Sequence, residues 1–294
     1  MKVLVTGANG MLGSNLVEVL SAEHDVTGVD IEDGDLRVGE EVLRLVSNAC
    51  PDIVIHTAAN TDVDGCEQDG DAAYLANGIG TCHLGLACAK YNAVCMYVST
   101  DFVFDGEKKT PYDESDRPDP INIYGRSKYM GEVLLSRVLT RHYILRTEWL
   151  YGIRGRNFVD QIIKRAAERG SLEVVNDQTG SPTLTQDLSD MIAHMVNRMP
   201  PYGVYHLTNG GACTWFEFAK TILSLVGLSD IPVLPVTQET IGRPARRPRN
   251  SAMNNLMYMH QGFPPARHWK DALIDYIQKV HGERLNLTGT SARQ

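Results

Sequence analysis

The 294-residue chain carries a formal net charge of −8, with 43% hydrophobic and 22% charged residues, proportions that exclude a disordered or fibrous protein. The acidic balance argues against a general nucleic-acid or membrane-surface binder, which gains affinity from a basic face. No run of about 18 apolar residues marks a transmembrane helix, and the length allows one large domain or two closely joined ones.

The chain opens on "MKVLVTGANG" without an apolar leader, and its six cysteines, Cys50, Cys66, Cys82, Cys88, Cys95 and Cys213, show no C-x-x-C spacing. The expectation is a cytoplasmic protein with reduced thiols. The nine histidines fall in no ligand pattern, so no metal site is expected. "NLT" at 286–288 matches a glycosylation acceptor, read as accidental without secretion.

In chain order, "KVLVTG" reads as a strand ending at glycine, and Leu16, Val17 and Leu20 give the next segment helical spacing. "DVTGVD" is a second strand, "GEEVLRLVSNA" a helix, "PDIVIHTAA" a third strand and "YLANGIGTCHLGLACAKY" a longer helix. "AVCMYVST" is a fourth strand, Tyr124 to about Leu139 a helix, and "HYILRTEWLYG" a fifth strand. This alternation predicts an α/β fold, a doubly wound parallel (Rossmann) sheet covered on both faces. After Tyr151 the pattern is mixed: "NFVDQIIKRAAERG" and "TWFEFAKTILSLVG" are amphipathic helices, "LEVV" and "GVYHLTN" short strands, and "IGRPARRPRNS" a loop rich in Pro and Arg. No Gly/Ser linker marks the change. Residues 1–150 are therefore expected to form a dinucleotide-binding domain and residues 151–294 mainly a smaller α/β substrate lobe, some of whose segments return to the first domain. The tail "NLTGTSARQ" is expected to be disordered.

Gly7, Gly10 and Gly13 in "TGANGMLG" stand between the first strand and first helix. Glycines there permit a tight turn and close approach of a pyrophosphate to the free N–H groups of a helix N-terminus. Asp30 closes the second strand, where a carboxylate accepts hydrogen bonds from ribose hydroxyls and repels a 2′-phosphate. Glu32, Asp33 and Asp35 follow, and the nearest arginine is Arg37. These charges favour NADH, with NADPH as the alternative; Asp30 as a mere strand-end cap is the rival reading. Ser99 and Thr100 end the fourth strand, where open α/β sheets bind ligands. Tyr124 and Lys128 lie four residues apart, so on a helix they share a face, and a cation beside a phenol of ordinary pKa about 10 lowers it toward the range of a proton donor.

With those motifs in this order, and with "PDIVIHTAANTDVDGCE", "STDFVFDG", "NIYGRSKYMGE", "LRTEWLYG", "NDQTGSPT", "YHLTNGGACTWFEFA" and "RPARRPRNS", the chain from Met1 to about Ile277 resembles the extended short-chain dehydrogenase/reductase family, in its branch of nucleotide-sugar reductases. The resemblance implies Thr100, Tyr124 and Lys128 as catalytic residues, Tyr124 donating the proton and Lys128 also touching the nicotinamide ribose. It implies a cofactor site of Gly7, Asn9, Gly10, Met11, Leu12, Gly13, Asp30, Asp35, Leu36, Thr57, Ala58, Ala59 and Ser99 together with Tyr124 and Lys128. It places Thr61, Val63, Asp101, Phe102, Trp149, Asn157, Gln178, Arg246 and Arg247 on the substrate, a dTDP-4-keto-6-deoxy sugar whose C4 ketone is reduced (dTDP-4-dehydro-L-rhamnose to dTDP-L-rhamnose). Arg246 and Arg247 suit its diphosphate, because guanidinium groups bind phosphate oxygens through directed hydrogen bonds.

Two departures stand out. Some members of the family are magnesium-bridged homodimers held by glutamates, whereas Asn15 and Gln186 occupy the matched positions, so a homodimer is compatible with the resemblance but a metal bridge is not expected. Glu148 replaces a small residue beside Trp149 and is expected to alter the rim of the sugar pocket. Two other functions use the same features: a nucleotide-sugar 4-epimerase, which needs no net reductant, and a non-catalytic regulatory subunit resembling the methionine adenosyltransferase β-subunit.

Overall fold

Lys2–Thr6 forms β1, whose Val3, Leu4 and Val5 are buried, and the computed structural model describes the chain from there through residue 289, with side chains described as far as Gly282. The strands β2 (Asp25–Val29), β3 (Ile53–His56), β4 (Val94–Thr100) and β5 (His142–Thr147) follow, and Gly203–His206 completes a six-stranded sheet. Every pairing in it is parallel, in the order Gly203–His206, β5, β4, β3, β1, β2. All seven residues of β4 are buried, as expected of a central strand covered on both faces. The expected doubly wound fold is what the chain adopts.

The sheet changes direction at β1, which lies between β2 on one side and β3 on the other. A crevice opens at such a switch point outside the carboxyl ends of the strands. Helix α1 (Met11–Leu20) follows β1 and buries Leu12, Leu16 and Leu20; α2 (Gly39–Ala49) follows β2 and ends on Cys50 in a left-handed conformation. The helix Ile123–Val138 precedes β5 and carries Tyr124 and Lys128.

Three expected elements differ in detail. The long helix after β3 is interrupted by a π-helical turn at Tyr74–Ile79 before its regular part, Gly80–Tyr91. Asn77 in that turn reaches out to the Asn60 backbone and Ser127, so its side chain ties the loop after β3 to the helix Ile123–Val138 at the position where its own helix widens. The fifth strand is broken: β5 stops at Thr147, Trp149 takes a left-handed φ of 48°, and pairing resumes at Leu150–Tyr151 with Thr183–Leu184. Of the tail expected to be disordered, residues 286–289 continue the helix Trp269–Gly289, and 290–294 lie outside the described residues.

A second core gathers the helices Phe158–Arg169, Trp215–Leu225 and Trp269–Gly289 around Ile162, Phe218, Leu223 and Trp269. The chain nevertheless returns to the first core, since Leu188, Met191, Ile192 and Met195 of the helix Thr185–Arg198 pack with residues of β1 and α1. At that junction Asn15 Nδ2 donates to Gln186 Oε1 at 3.1 Å, while Thr185 Oγ1 donates to Asn15 Oδ1 at 2.8 Å. The two positions matched to the family's bridging glutamates are thus hydrogen-bonded to each other within one chain.

Candidate active site

The turn after β1 is shaped by backbone contact. Gly7 has a φ of +72°, and a Cβ there would lie 2.7 Å from the Ala58 nitrogen at the end of β3; a Cβ at Gly13 would overlap the Gly7 carbonyl. Only glycine tolerates both demands. Helix α1 begins at Gly10 with no side-chain cap and no acidic residue in its first turn, so its leading N–H groups face the crevice and fit an anionic group such as a pyrophosphate. Asp30 at the end of β2 accepts from the Asn9 backbone at 2.8 Å and from its neighbour Ile31 at 2.9 Å, fixing the carboxylate beside the glycine turn. Asp35, by contrast, forms a fork with Arg37, whose guanidinium holds its carboxyl below the usual range.

A single cleft of about 1690 Å³ runs from this turn past the end of β4 to the second lobe. All the residues named above for cofactor and substrate line it, from Gly7, Asn9, Gly10, Met11, Leu12 and Gly13 through Leu36, Thr57, Ala58, Ala59, Thr61 and Val63 to Gln178, Arg246 and Arg247. Thr100, Tyr124 and Lys128 lie along its middle. The Thr100 hydroxyl donates to Asp101 Oδ1 at 2.9 Å and accepts from the Phe102 backbone at 3.2 Å, while Phe102 meets the Tyr124 ring edge-on.

The Tyr124 phenol and the Lys128 ammonium differ from the simple expectation. Burial pushes the phenol up, with the Thr100 hydroxyl opposing it, so the surrounding chain does not tune the phenol downward. Lys128 is itself buried, which pulls it down to about 7 despite the favourable charge of Glu132. Its Nζ donates to the Val98 carbonyl at 2.7 Å and sits 4.3 Å from the centre of the Tyr97 ring. Desolvation is the largest cause of both shifts, and it disfavours the charged form of each group.

Several sequence candidates are committed elsewhere. Ser99 donates to Glu132 Oε1 at 2.6 Å, beneath a buried ion pair in which Arg146 holds both oxygens of Glu132. Asn157 caps the helix that follows it and bonds the Gly152 carbonyl and Tyr276, so its amide is spent on the fold although it borders the cleft. Arg247 is nearly buried and forks onto Asp64, whose carboxyl it lowers; Arg246 extends to solvent, 3.9 Å from Glu107. The arginine loop is thereby pinned through Arg247, whose Nη1 and Nη2 donate to Asp64 while the residue still borders the cleft.

Arg243 of the arginine loop and Arg165, which the sequence did not single out, also border the cleft. Although the tip of Arg243 reaches solvent, the surrounding chain desolvates it and the cations of Arg247 and Arg165 add to the lowering. Arg165 lies on an amphipathic helix, where a charged residue reads as solvated surface, so no local signal marked it. Trp149 stacks face to face on Trp215, with ring centres 3.5 Å apart, and forms a flat wall. Glu148 does not sit at the rim: it is 2% exposed, beneath Trp149.

Fold and cleft together define a Rossmann protein of the extended short-chain dehydrogenase/reductase class. The chain belongs to the family described as "RmlD substrate binding domain", whose model matches residues 1–281. It is 38% identical over 285 residues to the dTDP-4-dehydrorhamnose reductase of Streptomyces griseus, covering 95% of this chain and 94% of that one. It is 40% identical to the spore coat polysaccharide biosynthesis protein SpsK of Bacillus subtilis, covering 95% and 97%. Among solved structures, the dTDP-4-dehydrorhamnose reductase of Bacillus anthracis in complex with NADP superposes with a TM-score of 0.92 at 41% identity, covering 95% of this chain and all of that one.

Proposed function

We propose that the protein reduces the C4 ketone of a dTDP-4-keto-6-deoxy sugar, converting dTDP-4-dehydro-L-rhamnose to dTDP-L-rhamnose, with NADH as the preferred reductant and NADPH accepted. The observation that carries this reading is the continuity of one cleft: an uncapped helix N-terminus with glycines at one end, Thr100, Tyr124 and Lys128 in the middle, and arginines and a tryptophan wall at the other. The reductases of Streptomyces griseus and Bacillus anthracis supply the substrate class. Residues 1–150 carry the dinucleotide in this account, and the sugar nucleotide lies mainly against residues 151–294.

The bound nicotinamide supplies the hydride. Thr100 holds the ketone oxygen by turning its hydroxyl proton from Asp101 Oδ1 to the substrate, and Tyr124 transfers its phenolic proton to the oxygen as negative charge develops there. Lys128 stabilises the resulting phenolate from the same helix face. Asp30 favours NADH by accepting from the ribose hydroxyls; the NADP held by the Bacillus anthracis relative supports NADPH as the second reductant. Of the arginine loop, Arg243 and Arg246 are assigned to the diphosphate ahead of Arg247, which is forked onto Asp64.

Mixing the protein with dTDP-4-dehydro-L-rhamnose and NADH tests the reading. Loss of nicotinamide absorbance with formation of dTDP-L-rhamnose is expected, with a lower KM for NADH than for NADPH. Replacing Arg243 and Arg246 by alanine should raise the sugar-nucleotide KM and leave the NADH KM in place. An unchanged sugar-nucleotide KM removes these arginines from the site, and turnover without net oxidation points instead to an epimerase.

A further inference from the structure

Eight buried side-chain polar atoms among the described residues lack a hydrogen-bond partner, and three of them, Asp101 Oδ2, Thr147 Oγ1 and Glu148 Oε1, belong to residues lining this one cleft. Buried polar groups are nearly always hydrogen-bonded, so a cluster of exceptions marks a place where a ligand supplies the partners. The rest of each carboxyl is already engaged, with Ser181 and Ser251 beside Glu148 and Ser251 beside Asp101. Ser251 donates to Glu148 Oε2 at 3.3 Å, and Thr100 donates to Asp101 Oδ1 at 2.9 Å.

We infer that Glu148, with Thr147 and Asp101, forms a polar socket that hydrogen-bonds a ring hydroxyl of the keto sugar and makes this protein select sugars that carry it. The inference rests on the reductase reading above and adds to it the residue that reads the sugar. The socket is built by the interruption after β5: the left-handed turn at Trp149 ends the strand at Thr147, buries Glu148 and stacks the indole on Trp215. Gly180 makes room for it, because a Cβ there would press on both Glu148 and the Trp149 ring. Burial, reinforced by the nearby charge of Asp101, pushes the Glu148 carboxyl well above its usual range, and burial pushes Asp101 up to about 6. A carboxyl shifted in this direction keeps its proton to higher pH than usual, and in its protonated form it can donate to a sugar oxygen as well as accept from a hydroxyl. A pocket built to hydrogen-bond a hydroxyl discriminates strongly against an analogue that lacks it, because its own buried groups are then left without partners.

The test compares the parent protein with Glu148→Leu and Glu148→Gln on three substrates: the dTDP-4-keto-6-deoxy sugar and its congeners lacking the C2 or the C3 hydroxyl. Leucine is apolar and of similar size, so it removes the unsatisfied carboxyl without opening a cavity; glutamine keeps a donor and an acceptor. The parent should prefer the fully hydroxylated sugar over at least one congener in kcat/KM. That preference should shrink about tenfold or more in Glu148→Leu, the scale of one lost hydrogen bond. It should be largely restored in Glu148→Gln, with the NADH KM unchanged in both variants. Glu148→Ala replaces the leucine variant if leucine does not fold. An undiminished preference in the apolar variant, or an equal loss on all three sugars, overturns the inference while leaving the reductase standing. Failure of the parent protein to oxidise NADH with any of the sugars overturns the reductase reading, and this inference falls with it.

Discussion

Tyr124 and Lys128 are both shifted toward their uncharged forms by burial, the phenol upward and the ammonium down to about 7. The Tyr124 phenol is thus protonated at physiological pH, and in the proposed mechanism the group that must be charged to assist it is the lysine. Tyr124→Phe removes the transferable proton alone; turnover should fall by roughly 10²–10⁴-fold with NADH affinity kept. Near-normal turnover of this variant would reject Tyr124 as the acid. The lysine sets a pH limb: its ammonium is present below its folded pKa and lost as pH rises through it. In the ligand-free protein kcat/KM should therefore decline as pH rises above about 7, and a profile flat from pH 6 to 9 would exclude Lys128 from the reacting form.

Helix Ile123–Val138 is fixed to the sheet by more than its apolar face. Glu132, one turn beyond Lys128, is held by Arg146 of β5 through two hydrogen bonds and by Ser99 of β4. Both charged side chains are almost fully buried. Glu132→Ala would leave the Arg146 cation in the interior without its partner, at a cost of about 3–5 kcal/mol. Denaturant unfolding should register that loss, and a variant as stable as the parent would mean that the pair adds nothing to the docking of this helix. The element boundaries show what sequence could and could not reveal. Glycine spacing, the run of apolar residues in β4 and the Tyr–Lys interval are local signals, and each fell on the element expected. The break between Thr147 and Leu150 was not legible, because "HYILRTEWLYG" is apolar enough for one strand and the left-handed Trp149 is imposed by stacking on Trp215, a partner 66 positions away. The Asp64–Arg247 fork escaped notice for the same reason: ion pairing across the fold leaves no trace in local spacing.

Across the whole molecule, parallel strands bring the glycine turn of β1, the Thr100 end of β4 and the Thr147 end of β5 to one edge of the sheet, and the second lobe closes a cleft over that edge. In the proposed function this topology sets cofactor and sugar against each other with Tyr124 between them. That juxtaposition is tested most directly with NADH deuterated on the transferable face of the nicotinamide and dTDP-4-dehydro-L-rhamnose, by locating the label in the isolated sugar. The account predicts one deuterium at C4 of dTDP-L-rhamnose for each NADH consumed. A product without deuterium at C4, or sugar conversion with no NADH consumed, would contradict it.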